Sequence, residues 1–199
     1  MTRSSVGMIA QFGQEVAKAT NPETTGQIMA GVKNITGKTK SDETALWVKG
    51  SIDRLDSLVL EDTRFRIMES CGVNCSQINH TVFERGKTRR MKYKTEDEFL
   101  SAEALKPQTG TRVERNGNLL LQIYTPQTFT HPMRCYCGLL RGLPADVQVS
   151  QTYCHCSQAF VQSYWEEVLG HPVKVEIKES TLSGSMECKF IINLSSTGE

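Results

Sequence analysis

The spacing of apolar residues changes at Pro107-Gln108-Thr109-Gly110, and that change excludes both an all-helical and an all-β chain. Upstream of the break the period is helical. Residues 6–19 place Ile9, Phe12, Val16 and Ala19 on one face. Asn21, Pro22 and Glu23 read as a helix start, with Asn at the cap and Pro in the first turn. That helix is expected to run through Ile28, Met29 and Val32 to a stop at Gly37. Ser41 and Glu43 open a third helix, which carries Leu46, Trp47, Ile52, Leu55, Leu58 and Leu60. Two more helices are expected over residues 77–85 and 96–105.

Downstream of the break the period becomes two. Asn116-Gly117 is a strong hairpin signal, and strands are expected on both sides of it within residues 111–124. Residues 131–142 form a cysteine-bearing loop. Residues 157–169 fit an amphipathic helix with Phe160, Val161, Tyr164, Trp165 and Val168 on one face, stopped by Gly170. Val173, Val175 and Ile177 alternate with charged residues, and Cys188, Phe190 and Ile192 alternate after a turn at Ser183-Gly184. The expectation is an α+β fold, with N-terminal helices and a roughly four-stranded antiparallel sheet carrying packed helices. Residues 1–70 are expected to form a helical N-terminal segment, and residues 71–199 a cysteine-rich α+β domain.

Composition limits the partners. Hydrophobic residues at 38% supply a core, which argues against global disorder. A net charge of +1 gives no global field, so neither nucleic acid nor an anionic membrane surface is expected as a partner. The one basic run, Arg85 to Lys94, is followed at once by Glu96, Asp97 and Glu98 and reads as a solvated face. No signal-peptide pattern and no apolar run long enough to span a bilayer is seen, so a cytoplasmic location is expected.

A reducing compartment disfavours structural disulfides and leaves thiols for metal or redox chemistry. Six of the seven cysteines come in close pairs: Cys71 with Cys75, Cys135 with Cys137, and Cys154 with Cys156. Residues two apart in an extended segment share a face, and two such pairs from separate loops supply the four ligands zinc requires. Thiolate clusters also suit iron–sulfur centres. Cys71 and Cys75, four apart, share a face if helical, and can join a metal or form a redox pair. Plain packing is the competing role for all six, and is the preferred one for Cys188 at an inward strand position. His131 and His155 are secondary ligand candidates, whereas His80 and His171 read as surface residues.

Tyr153-Cys-His-Cys-Ser-Gln-Ala-Phe160, Trp165-Glu-Glu-Val-Leu-Gly170, Val173 to Ser180 and Gly184-x-x-x-Cys188-Lys-Phe190 together resemble the vinyl-reductase-type (4VR) small-molecule-binding domain. That domain is related in fold to heme-based nitric-oxide sensors and a vesicle-tethering subunit. The sequence looks closer still to a prokaryotic cysteine-rich family of unknown function with the Met68-Glu-Ser-Cys-Gly-x-x-Cys75 and Cys-Tyr-Cys137 motifs. The wider resemblance covers residues 111–194. It implies a zinc held by an early cysteine, a glutamate and two late cysteines. Cys154 and Cys188 match the first and last; Ser180 stands at the third thiolate, and Ile177 where the glutamate is expected. The site is either lost or rebuilt from Cys71, Cys75, Cys135, Cys137 and Cys156, and the rebuilt site is the expectation. No heme ligand is assignable.

Three functions follow. The first is a zinc-binding, small-molecule-binding or sensor-type protein, with Phe129, Tyr153, Phe160, Tyr164 and Trp165 as candidate pocket residues, although an ordinary core explains the same aromatic stripe. The second is an iron–sulfur or thiol-dependent enzyme; no Ser-His-Asp set, phosphate loop, dinucleotide fingerprint or His-Glu-x-x-His motif supports it. The third is a homo-oligomeric structural or interaction protein built on the N-terminal helices.

Overall fold

A computed structural model describes residues 5–106, 110–125 and 134–195. Among these residues the chain forms seven α-helices and a four-stranded antiparallel sheet, an α+β fold. The helices upstream of the break are α1 (Ser5–Ala19), α2 (Pro22–Ile28), α3 (Ser41–Leu58), α4 (Glu61–Ile78), α5 (His80–Arg90) and α6 (Glu96–Leu105). The hairpin strands β1 (Thr111–Asn116) and β2 (Leu119–Tyr124) follow, then α7 (His155–Leu169), β3 (Lys174–Glu179) and β4 (Cys188–Asn193).

Asn21 caps α2 through its side chain and Pro22 opens it, but the helix ends at Ile28, well before Gly37. The stop is Gly31, at a φ of 79°, followed by a 3-10 turn at Val32–Asn34. Side chains of α3 take the carbonyls freed there: Ser51 Oγ donates to Ile28 O at 2.8 Å, and Trp47 Nε1 donates to Ala30 O at 2.9 Å. The helix expected over residues 77–85 is divided at Asn79, which ends α4 and precedes α5. α4 carries the chain through residues 70 and 71 as one helix.

α6 has its expected bounds because Thr95 and Glu98 form a capping box. In the hairpin, Asn116 pairs with Leu119, so the two-residue loop is Gly117-Asn118 and Asn116 belongs to β1. Gly117 leads that loop at a φ of 58°, and among the described residues no non-glycine has positive φ. A leading glycine alone with positive φ is the requirement of a type II′ turn.

The strand order is β1-β2-β4-β3, so β2 and β4 are central. One core lies between the sheet and helices α6 and α7, with Phe99, Leu120, Trp165, Val175, Phe190 and Ile192 within it. A second core joins α1 to α4 with Leu140, Tyr153 and Leu182 from the later chain. Ile177 packs against both. The position where the 4VR resemblance expects a glutamate is therefore an apolar bridge between cores. No helix among the described residues is long and apolar enough to cross a membrane.

Candidate thiol site and neighbouring pocket

The cysteines arrive from five places in the fold. Cys71 and Cys75 lie one turn apart on α4. Cys135 and Cys137 lie on the loop after the hairpin, Cys154 ends a 3-10 turn at Gln151–Cys154, Cys156 is in the first turn of α7, and Cys188 opens β4. All seven are free thiols, all but Cys154 half-buried and Cys154 buried.

They converge. Cys71 is within electrostatic reach of Cys75 and Cys137, and Cys156 is within reach of Cys137, Cys71, Cys75 and Cys135. Cys135 in turn is within electrostatic reach of Cys137, Cys154 and Cys188. Cys71, Cys75, Cys137 and Cys156 thus form one group, and Cys154 and Cys188 another, with Cys135 between them. Burial pushes the Cys71 thiol up to about 12, and Glu15 on α1 adds to the shift. Burial also holds Cys135 and Cys156 well above the ordinary thiol range, with Cys137 the next cause for each. Cys154 rises to about 12 through burial, against the opposing hydrogen bond from Ser180.

Five of the seven sulfurs have local polar company. Cys154 Sγ lies 2.9 Å from Ser180 Oγ, and Cys137 Sγ 3.1 Å from Tyr153 Oη. Thr181 N donates to Cys188 Sγ at 3.5 Å, Cys137 N to Cys135 Sγ at 3.4 Å, and Asn79 Nδ2 to Cys75 Sγ at 3.4 Å. The soft donors suit zinc in kind. As placed, no set of three or more His, Cys, Asp and Glu side chains among the described residues is arranged to hold a metal ion.

Two residues at this site carry no motif. Glu15 is buried beside Cys71 and held by Lys18 at 2.9 Å, Gln11 at 2.8 Å and Asn74 at 3.3 Å. Its signal in the sequence is a carboxylate between Phe12 and Val16 on the apolar face of α1. Arg134 fastens the Cys135 loop by donating to the carbonyls of Pro144 (3.0 Å), Thr181 (3.1 Å) and Val147. His155 turns aside and stacks on Phe65 at 3.7 Å. His131 and Phe129 lie outside the described residues.

Further along α7, Phe160, Tyr164 and Trp165 line a cavity of about 270 Å³, bounded also by α5, α6 and the hairpin. Tyr153, the fourth aromatic candidate, packs instead in the helical core against Cys137. Tyr124 stands between the two regions: it lines the cavity and is also within electrostatic reach of Cys188 and Cys135.

Fold and site together define an α+β protein with a partly buried group of thiols beside a cavity. The chain belongs to a family of unknown function, DUF6144, which it matches over residues 10–197. No curated protein matches it.

Proposed function

We propose that the protein is a cytoplasmic small-molecule-binding or sensor-type module whose thiol cluster holds a zinc ion. One observation carries this reading: Cys71, Cys75, Cys137 and Cys156, from three separated segments, stand within electrostatic reach of one another in nearly every pairing. Crowded, partly buried thiols resist ionising on their own, whereas a soft cation stabilises their thiolates together. These four residues would hold the ion. It would fix α4, α7 and the intervening loop relative to each other. The relation to 4VR domains belongs to the same proposal, supported by the meeting of Cys154 with Ser180, the positions where that resemblance expects two thiolates.

The cavity supplies the sensing half. It shares α7 with Cys156 and shares Tyr124 with the Cys135 and Cys188 region, so the ion and a ligand act on common elements. Elemental analysis of protein purified without oxygen tests the metal half. The expected result is stoichiometric zinc in a colourless protein, lost together with stability in Cys71→Ser/Cys75→Ser. A brown protein containing iron and sulfide would replace zinc with a cluster. Unchanged melting after chelation, with no metal found, would remove the reading.

A further inference from the structure

The cavity beside α7 has a chemical polarity that narrows what it can hold. Its floor is largely apolar: Val161 and Trp165 are each 1% exposed, with the half-buried Phe160 and Tyr164 beside them. The buried Gln122 side chain is already satisfied, accepting from Trp165 Nε1 at 2.7 Å and donating to Thr111 Oγ1 at 3.3 Å. Its volume of about 270 Å³ equals roughly nine waters at liquid density, enough for a single or fused ring.

The rim is cationic. Arg85, Arg89, Lys106 and Arg112 all line the cavity, against one carboxylate, Glu103. Two of the four cations are spent. Arg89 is forked by Glu103 at 3.0 and 3.1 Å and donates to Tyr164 Oη at 2.9 Å. Arg112 is held by Glu187 at 2.6 and 3.1 Å and by Glu114 at 3.3 Å. Arg85 and Lys106 have no acidic partner among the described residues, and the neighbouring Glu84 pairs with Lys87. Both are exposed and so stand at the mouth.

We infer that the cavity binds a small monoanion, an aromatic or short acyl body carrying one carboxylate. The body rests on Phe160, Tyr164 and Trp165, and the carboxylate meets Arg85 and Lys106. This rests on the ligand-binding half of the function proposed above and is independent of the metal half. Two exposed rim cations with no acidic partner favour the carboxylate modestly over a neutral group of the same shape and oppose a cation.

The test is calorimetric titration with 2-naphthoate, 2-naphthalenemethanol and 2-naphthylmethylammonium, which share a ring system and differ in charge. The acid is expected to bind about tenfold more tightly than the alcohol, and the ammonium most weakly. Arg85→Ala/Lys106→Ala, both at exposed positions, is expected to bring acid and alcohol within about threefold while leaving the alcohol unchanged. Equal affinities in the natural protein, a preference that survives the double substitution, or no saturable binding of any probe would each overturn the inference. Metal content measured on the same samples reports on the thiol proposal separately, so either can fail while the other stands.

Discussion

Gly72 on α4 lies against the main chain of Cys156 on α7: a Cβ at Gly72 would come within 2.2 Å of the Cys156 carbonyl oxygen and 2.8 Å of Ala159 Cβ. This contact lets the helix carrying Cys71 and Cys75 come close to Cys156. Gly86, where α5 crosses α7, differs in kind. A Cβ there would meet Val168 Cγ2 at 2.6 Å and Tyr164 Oη at 2.8 Å, which are side-chain atoms that can move. Alanine gains about 0.5–1 kcal/mol over glycine within a helix, and overpacking costs about 1–3 kcal/mol. Gly72→Ala is therefore expected to lose up to about 2.5 kcal/mol net, because backbone must shift, and Gly86→Ala clearly less. Urea midpoints of the two variants decide it; equal midpoints would mean that the α4–α7 approach is not tight.

Arg134 links three carbonyls on two segments and sits next to Cys135. Arg134→Met strips the donors from Pro144, Val147 and Thr181, of which Thr181 is buried. The expected loss is about 2 kcal/mol, the usual range for hydrogen bonds from a charged donor. Arg134→Lys should recover less than half, since one ammonium cannot reproduce the planar fork. The loop effect is read by the rate at which a thiol reagent modifies Cys135, which is expected to rise in both variants. An unchanged rate would show that the loop is held by other contacts.

Trp165 and Gln122 form a polar link in the floor between α7 and the sheet. Gln122→Leu keeps the bulk but leaves the indole N–H without its acceptor, and Thr111 without a donor. A loss of about 1–3 kcal/mol in urea denaturation is expected. Trp165→Phe combined with Gln122→Leu should lose less than the sum of the singles, because the orphaned donor is gone. Additive losses would show that the indole has found another acceptor.

How much of this was legible depended on whether the signal was local. The bounds of α6 followed because its cap and capping partner lie three residues apart, and the hairpin was visible because glycine marks its own turn. The end of α2 was misplaced at Gly37 because Gly31 stops it only with α3 side chains covering the freed carbonyls, which is a tertiary event. The Met68–Cys75 motif gave no clear helix because Gly72 weakens the helical pattern, yet Gly72 is what the packing requires. The sharing of a face by Cys71 and Cys75 was readable from their spacing once α4 formed. Their grouping with Cys137 and Cys156 was expected only as one of several thiol sets, because which cysteines approach one another depends on the crossing of α4 and α7. Arg134 has no sequence signal: its partners are backbone carbonyls, which any residue could supply.

His171 gives a pH dependence away from the sulfur cluster. Its Nδ1 lies 3.0 Å from the Pro172 carbonyl and its Nε2 lies 3.0 Å from Glu96 Oε2, so it ties the end of α7 to the start of α6. The Pro172 carbonyl raises its pKa most, burial opposes the rise, and Glu96 adds to it. A raised folded-state value means that the protonated imidazole stabilises the fold. That contribution is complete below the ordinary histidine value of about 6.5 and fades as pH rises through the higher folded value. The side chain is 38% exposed, so the pair contributes less than about 1 kcal/mol. His171→Gln should therefore be less stable than the natural protein at about pH 6 and match it at about pH 8.5, by urea denaturation at low salt. Taking the difference between the two proteins removes His155, whose pKa burial lowers and whose slope has the opposite sign. A gap that stays constant across this range would mean that His171 packs without titrating.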